Sequence, residues 1–183
     1  MNIIIKEYRS AAGVLVVGSY GDRICLCDWA ESSRHQSNVG RICRYLKADV
    51  ETGTSGAIES AINQLEEYFA GERDSFDIPL LLCGTDFQKK VWEELLKIPY
   101  SCVISYSQQA RRIGRSNAVR AVAAANAANA ISIIVGCHRV TGSDGRLTGY
   151  AGGLAAKQFL LDLEKTAVKK LQPWTIDADE SVE

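Results

Sequence analysis

A cysteine directly followed by a histidine marks the part of the chain where chemistry is expected. Residues 133–140 read Ile-Ile-Val-Gly-Cys-His-Arg-Val. The three β-branched residues predict a short buried strand, with Gly136 where the backbone turns and Cys137 at the strand end, facing a cleft. A free thiol has a pKa near ~8.5, so a neighbouring base such as His138 is needed to convert it into a nucleophile. The alternative is a buried cysteine that only packs in the core.

Length and composition describe an ordinary globular chain. Its 183 residues are 46% hydrophobic and 23% charged, enough for one large domain or two small ones. No apolar run is long enough to cross a membrane and no signal peptide is visible, so we expect a cytoplasmic protein with no membrane contact. The six cysteines are irregularly spaced, which indicates reduced thiols. Cys25 and Cys27 should share one strand face. Their spacing is not that of a zinc finger, so no metal is predicted, and a structural zinc stays the open alternative.

The charges are unevenly distributed along the chain. Residues 1–83 carry 8 Lys and Arg against 12 Asp and Glu, residues 84–171 carry 13 against 6, and residues 172–183 carry none against 4. No acidic side chain lies between Leu95 and Ser143. A basic region beside a candidate nucleophile indicates a polyanionic substrate, whereas a clustered but merely solvated surface is the alternative.

The first 83 residues are predicted to form a small α/β unit. A strand begins at Ile3, and residues 13–18 and 23–29 form a hairpin across a Gly-Asp turn. Residues 30–40 are expected to be a loop, followed by a short helix with three apolar residues on one face: Ile42, Tyr45 and Leu46. Residues 57–70 are predicted as a longer helix and residues 76–80 as extended chain.

The next 88 residues, from Gly84 to Leu171, are predicted to be mainly helical. Thr85 opens a capping box, and an apolar stripe continues as far as Pro99. Residues 107–113 and the stretch from Ser116 to about residue 128 are two helices joined through Gly114, with Ser116 as the cap of the second. This order is that of a helix-turn-helix. The last dozen residues are expected to be a loose acidic tail.

The two helices and the turn between them have the composition of a nucleic-acid contact. Four arginines fall within ten positions without an acid among them: Arg111, Arg112, Arg115 and Arg120. Phosphate contacts need such cations. The second helix is also rich in alanine, from Ala118 onward, and such small side chains permit close approach to another surface. Tight packing in the core is the alternative explanation of the alanines.

These motifs together resemble a known family. The stretch from Gly84 to Leu171 is similar to the catalytic domain of the O6-alkylguanine-DNA alkyltransferases, also called methylated-DNA–protein-cysteine methyltransferases. The family's Pro-Cys-His-Arg-Val motif corresponds to residues 136–140 here. Four further segments stand at family-like spacing: Phe87-Gln88-x-x-Val91-Trp92, Ile104-Ser105-Tyr106, residues 118–122 and Gly149-Tyr150-x-Gly152-Gly153. Residues 1–83 match the family's variable N-terminal domain only loosely. The resemblance implies an α/β (α+β) protein with a ribonuclease H-like antiparallel sheet and helices, followed by a mainly helical domain.

The resemblance also assigns roles to individual residues. Cys137 resembles the acceptor nucleophile, His138 the base that reaches it through a water, and Glu164 the acid that orients that histidine. Asn129 resembles the asparagine that braces the active-site loop. Tyr106 resembles the tyrosine that contacts the flipped base and its phosphate, where its hydroxyl would stabilise the leaving guanine.

DNA contacts and the alkyl pocket are carried over in the same way. Arg120 resembles the finger that fills the gap left in the duplex. The residues around it complete the predicted DNA surface: Arg115, Ser116 and Ala118. The backbone carbonyl of Val140 resembles the group that reads the guanine amino group. Tyr150 begins the loop that walls the pocket, and the small residues Ala151 and Gly152 predict room for a benzyl adduct.

Two positions depart from the family pattern. Gly136 stands where proline is usual, which frees the approach to the nucleophile. Gln109 stands where leucine is usual, which is expected to weaken the packing of the first helix of the pair.

The resemblance implies single-turnover DNA repair by a monomer, without a cofactor, on double-stranded DNA that contains O6-alkylguanine. Whether O4-alkylthymine is also a substrate stays open at this point. A different class is a DNA-binding helix-turn-helix regulator with a sensor cysteine. A third, a thiol hydrolase with a Cys-His pair, leaves the arginines and Tyr106 unexplained. The intact Cys137 favours the transferase, because the alkyltransferase-like binders of the family lack this cysteine.

Overall fold

The computed structural model describes residues 1–171, and the acidic tail predicted for residues 172–183 lies outside them. Within these residues the chain forms six strands and six helices, and a short 3₁₀ turn at Cys137–Arg139 lies between the fifth helix and the sixth strand. In chain order they are β1 (Ile3–Ser10), β2 (Gly13–Tyr20), β3 (Arg23–Trp29), α1 (His35–Leu46), β4 (Val50–Thr52), α2 (Gly56–Phe69), α3 (Asp86–Leu95), β5 (Ile104–Ser105), α4 (Tyr106–Arg112), α5 (Val119–Ala127), β6 (Val140–Thr141) and α6 (Gly153–Leu171). The mixed α/β architecture is the one predicted.

The N-terminal sheet has the strand order β3-β2-β1-β4. Strands β1, β2 and β3 form an antiparallel meander, as the hairpin pattern predicted, and β4 pairs parallel to β1 at the edge. Helix α2 covers one face of the sheet with its buried stripe, which includes Ile58, Leu65 and Tyr68. Ser55 caps this helix by accepting a hydrogen bond from the Ile58 amide.

Two predictions for this region are wrong in detail. Helix α1 begins at His35, inside the stretch expected to be a loop, and Tyr45 lies 46% exposed instead of sharing the buried face with Ile42. The Tyr45 hydroxyl instead accepts a hydrogen bond from Lys89 at 2.7 Å. Polar residues fill both the loop and the outer face of this helix, so composition alone does not separate the two.

Cys25 and Cys27 do not share a strand face. The pairing of β2 with β3 shifts register between Gly18 and Ser19, which leaves a bulge at Cys25. Cys27 packs in the larger apolar core and Cys25 in a smaller one with Cys83. An extra residue in one strand reverses the alternation of side chains beyond it, and the prediction assumed a regular strand.

The apolar core is continuous across residue 83. The larger core cluster contains side chains from α2, α3, α5 and α6. Within it, the indole N–H of Trp92 donates a hydrogen bond to the Ala125 carbonyl at 2.8 Å. Thr85 and Gln88 form the predicted capping box at the start of α3, and Ser105 with Gln108 forms a second one at the start of α4. These local caps fix where the helices begin.

The segment before Cys137 is a tight turn, not the predicted strand. Ile131 makes a single parallel bridge to Cys27, and the amide of Val135 then returns a hydrogen bond to the Ile131 carbonyl at 2.9 Å. Ile133 has φ +72°, an unusual conformation for a β-branched residue. The whole run is buried, so its apolar character carries no period that distinguishes a turn from a strand.

No helix within residues 1–171 combines the length and apolar character needed to cross a membrane. Over the same residues, no three His, Cys, Asp or Glu side chains are grouped as metal ligands would be.

Candidate active site

Cys137 lies at the first position of the 3₁₀ turn, 7% exposed, at the base of a surface pocket. The side-chain amide of Asn129 donates to the Val135 carbonyl at 2.9 Å and to Cys137 Sγ at 3.3 Å. The same side chain accepts a hydrogen bond from the Ile131 amide at 2.9 Å. One asparagine therefore holds both ends of the turn and touches the sulfur.

His138 is fully buried beside the cysteine. Its Nε2 lies 2.7 Å from Glu164 Oε1, while its Nδ1 is buried without a hydrogen-bond partner among the described residues. Burial lowers the pKa of His138, and the hydrogen bond to Glu164 opposes that effect only in part. The ring is therefore neutral at neutral pH, with Nε2–H donating to the carboxylate and the Nδ1 lone pair free to take a proton.

Glu164 is the most heavily bonded side chain of the site. Besides His138, its carboxylate accepts hydrogen bonds from the Tyr68 hydroxyl at 2.8 Å, the Ser101 amide at 2.9 Å and the Arg139 guanidinium at 2.9 to 3.2 Å. Burial opposes ionisation, but the bonds to His138 and Arg139 outweigh it and lower the pKa of Glu164 to about 2. The carboxylate stays charged and orients His138 without taking up its proton.

Burial raises the pKa of the Cys137 thiol, and the hydrogen bond from Asn129 and the charge of Lys157 partly offset this. At neutral pH the Cys137 side chain is therefore a protonated thiol. Any attack by this thiol would need a proton acceptor, and the buried Nδ1 of His138 is a neighbouring group with a free lone pair.

Lys157 ties the nucleophile segment to the pocket loop. Its fully buried ammonium donates to the Val140 carbonyl at 2.6 Å and to the Thr148 carbonyl at 3.0 Å. The Val140 carbonyl, predicted to read the guanine, thus already accepts one hydrogen bond and has one lone pair left. Lys157 and Glu164 lie two helical turns apart on the inward face of α6.

The pocket above Cys137 has a volume of about 500 Å³. Tyr106, Tyr150 and Ala151 line it as predicted, and the Tyr106 hydroxyl makes a long 3.4 Å hydrogen bond to the Thr148 carbonyl. The loop before α1 also reaches the rim, which the sequence did not indicate, with Ser32, Ser33 and Arg34.

Gly152 does not line the pocket, contrary to the prediction. It packs against the indole of Trp29, where an added Cβ would lie only 2.5 Å from ring atoms. The Trp29 ring also meets Tyr150 edge to face, with centroids 5.9 Å apart. The glycine is required by this close packing and provides no space for a substrate. Gly136 has φ −69°, within the range of proline, and a Cβ added there would lie 3.3 Å from the Arg139 side chain.

The basic surface is built on α4 and α5, which are joined by residues 113–118, with Gly114 at φ +71°. Ser116 does not cap the second helix: α5 begins at Val119, after Ala118, and has no side-chain cap. Arg115 and Arg120 are exposed and form no ion pair with any other residue in the described part of the chain. Their charges are free to meet an anion.

Gln109 does not loosen α4. Its fully buried amide pairs with that of Asn126 on α5, which donates to Gln109 Oε1 at 2.7 Å, and Gln109 also donates to the Val91 carbonyl at 3.2 Å. A reciprocal amide pair satisfies both polar groups, so it replaces the apolar contact that leucine would make.

Known proteins are similar to this chain in sequence. The family model for the 6-O-methylguanine DNA methyltransferase DNA-binding domain matches residues 86–166. A methylated-DNA–protein-cysteine methyltransferase of Mycobacterium leprae is 42% identical over 163 residues, which covers 89% of this chain and 93% of the relative. The chain belongs to the methylated-DNA–protein-cysteine methyltransferase family. A Methanosarcina barkeri member is 53% identical over 109 residues, covering 60% of this chain and 69% of its own.

Solved structures of this methyltransferase family share the fold. The Mycobacterium tuberculosis O6-methylguanine methyltransferase superposes with a TM-score of 0.77 at 39% identity, covering 90% of this chain and 94% of the other, and it has also been solved in complex with DNA. The O6-methylguanine-DNA methyltransferase of Pyrococcus kodakaraensis gives a TM-score of 0.68 at 25% identity over 88% of this chain and 98% of its own.

Sequence reasoning missed the buried residues that hold the candidate site together: Tyr68, Ser101, Arg139 and Lys157. Lys157 carried a usable signal, because it stands seven residues before Glu164 on one face of a mostly apolar helix. Tyr68 carried none, since its partner is 96 residues away.

Proposed function

We propose that this chain repairs DNA by moving an alkyl group from O6 of guanine to the sulfur of Cys137, once per molecule. The observation that carries the proposal is the position of Cys137 at the base of an open pocket, beside a buried histidine–carboxylate pair. Membership of the methyltransferase family supports the same reaction. DNA is the partner, and double-stranded DNA with O6-alkylguanine is the substrate class proposed here.

The reaction is a substitution at a saturated carbon. His138 Nδ1 takes the proton of Cys137, through a water as the resemblance implies, and the sulfur attacks the alkyl carbon as the carbon–oxygen bond to guanine breaks. Glu164 holds the Nε2–H of His138 and stabilises the imidazolium that forms. Asn129 donates to the sulfur and so favours its charged form. No cofactor takes part, because the thioether bond that forms replaces the bond that breaks.

Tyr106 and helix α5 are the groups that bind the substrate in this proposal. The Tyr106 hydroxyl at the pocket wall is placed to donate to the departing guanine, on which negative charge develops. We infer that α5 enters the DNA groove and that Arg120 fills the gap when the guanine leaves the stack, at a cost of a few kcal/mol. The exposed, unpaired Arg115 contacts phosphate, and Ser116 and Ala118 lie in the same approach.

We further propose that residues 84–171 carry the DNA contacts and the nucleophile, while residues 1–83 support them across the shared core. The protein acts as a monomer, and its reduced cysteines suit the cytoplasm.

A transfer assay tests the proposed function. The protein is incubated with an excess of duplex DNA that carries one O6-[³H]methylguanine per molecule, and label on the protein is counted. Stoichiometric transfer that ends after one methyl per molecule is the expected result. Specific DNA binding without any transfer would instead favour the helix-turn-helix regulator with a sensor cysteine.

A further inference from the structure

The first 83 residues place one hydroxyl in the catalytic network. Tyr68, on α2, is fully buried and donates to Glu164 Oε1 at 2.8 Å. The same oxygen lies 2.7 Å from Nε2 of His138 and accepts from Arg139 Nη2 at 2.9 Å. Three residues therefore donate to one carboxylate oxygen, and one of them, Tyr68, comes from the first 83 residues of the chain.

We propose that Tyr68 is a positioning residue for alkyl transfer, which holds the Glu164 carboxylate and limits how strongly that carboxylate attracts the proton of His138. This inference rests on the proposed function. Each hydrogen bond donated to Oε1 withdraws electron density from it, so fewer donors leave a more basic oxygen facing His138.

Several parts of the chain contribute the charged and titratable groups that surround His138 and Glu164. Glu164 faces Tyr68 from α2, Tyr100 from the segment before β5, and both His138 and Arg139 from the 3₁₀ turn. His138 is influenced by Glu164 and Arg139, and also by Lys157 from α6. Removal of the Tyr68 hydroxyl changes none of these charges, so its effect isolates the hydrogen bond.

The direction of the effect follows from the role of His138 as a base. A more basic Glu164 oxygen stabilises the imidazolium and raises the pKa of His138. The ring must be neutral to accept the proton of Cys137. When the pKa of His138 is raised, acidification therefore begins to lower the transfer rate at a higher pH than in the wild type. In Tyr68→Phe the acid limb of the transfer rate should move upward by on the order of one pH unit.

The chain offers a matched control in Tyr100. Its ring lies 6.0 Å from that of Tyr68 and its hydroxyl is buried near the same carboxylate, but it has no hydrogen-bond partner among the described residues. Tyr100→Phe thus removes a neighbouring hydroxyl without removing a donor to Glu164. Both phenylalanine variants keep the aromatic packing with Phe69 and Phe76 that surrounds Tyr68.

The experiment follows His138 directly in the full chain. Only two histidines are present, so ¹⁵N-histidine spectra are assigned with the single variant His35→Gln. Ring nitrogens are titrated in the wild type, Tyr68→Phe and Tyr100→Phe, and single-turnover methyl transfer is measured across the same pH range. The expected result is a higher pKa of His138 and a raised acid limb in Tyr68→Phe alone.

Two outcomes would overturn the inference: a wild-type His138 titration in Tyr68→Phe, whatever its stability, or an equal shift in Tyr100→Phe. If Tyr68→Phe does not fold, 3-fluorotyrosine placed at position 68 alone keeps the side chain and strengthens its donor. The acid limb should then move downward, and an unmoved limb would contradict the proposal. Absence of transfer by the wild type would contradict the proposed function instead, which separates the two failures.

Discussion

The Asn129 side-chain nitrogen lies 3.3 Å from Cys137 Sγ and 2.9 Å from the Val135 carbonyl, so one amide fixes the nucleophile and the turn that carries it. Asn129 lies two residues after the end of α5, the helix proposed to contact DNA. The C-terminal end of α5 and the Cys137 sulfur are therefore linked through a single side chain.

Asn129→Ala removes both of these hydrogen bonds. Transfer should slow at least about tenfold, because a donor that favours the thiolate is lost. The free energy of unfolding should fall by about 1–3 kcal/mol, the cost of leaving the buried Ile131 amide, which donates to Asn129 Oδ1, without a partner. Single-turnover kinetics and urea unfolding measure the two effects, with Asn63→Ala, at an exposed position of α2, as the matched control. A wild-type transfer rate in a destabilised Asn129→Ala would restrict this residue to a structural role.

The buried Glu164 carboxylate should make the free energy of unfolding depend on pH. The pKa of its carboxyl falls from 4.5 to about 2 on folding, so its contribution is present above pH 4.5 and is lost as the pH falls toward 2. The shift corresponds to about 3 kcal/mol of unfolding free energy. Urea unfolding between pH 5 and the acid limit should show this loss in the wild type and in Glu93→Gln, an exposed control, but much less of it in Glu164→Gln. Equal slopes for all three proteins would contradict the assignment.

The helix caps and the site residues could be predicted from sequence for different reasons. Thr85 and Gln88 are three residues apart and their bonds are local, so the capping box follows from spacing alone. Cys137 and His138 stand out as a thiol next to a base, whereas Glu164 and the individual roles follow only from the family resemblance. The structure brings His138 and Glu164 into direct contact. Their catalytic roles stay proposals.

Other features could not be predicted because they depend on tertiary packing. The turn through Ile133 is buried on every side, so no hydrophobic period distinguishes it from a strand. Gly152 was interpreted as open space, whereas Trp29, more than a hundred residues earlier, occupies that side of the loop. Tyr68 meets Glu164 only after two distant helices pack together.

The pocket should admit a benzyl adduct, because its volume is about 500 Å³ and Ala151 offers little side-chain bulk. Burial of the ring would contribute about 2 kcal/mol. Pre-treatment with O6-benzylguanine should therefore abolish later methyl transfer from DNA, and Ala151→Phe should restore it.

Gly152 supplies the contrast to Ala151. Gly152→Ala should lower stability, since its Cβ would meet the Trp29 ring, and should leave sensitivity to O6-benzylguanine unchanged. Full methyl transfer by the wild type at high O6-benzylguanine concentration would contradict the open pocket.

Arg120→Ala should impair transfer from duplex DNA far more than transfer from free O6-benzylguanine, because only the duplex has a gap to fill. Rates on both substrates are compared with those of Arg44→Ala, a control on α1 in the N-terminal part of the chain. Equal losses on the two substrates would make Arg120 a structural residue.

Identification of the modified atom tests the central claim most directly. The full chain is incubated with duplex DNA containing O6-methylguanine, weighed intact by mass spectrometry, and digested to locate any added group. The account predicts one methyl per molecule, carried on the sulfur of Cys137, and none in Cys137→Ala, which should still bind DNA. A methyl on any other residue, or transfer by Cys137→Ala, would contradict it.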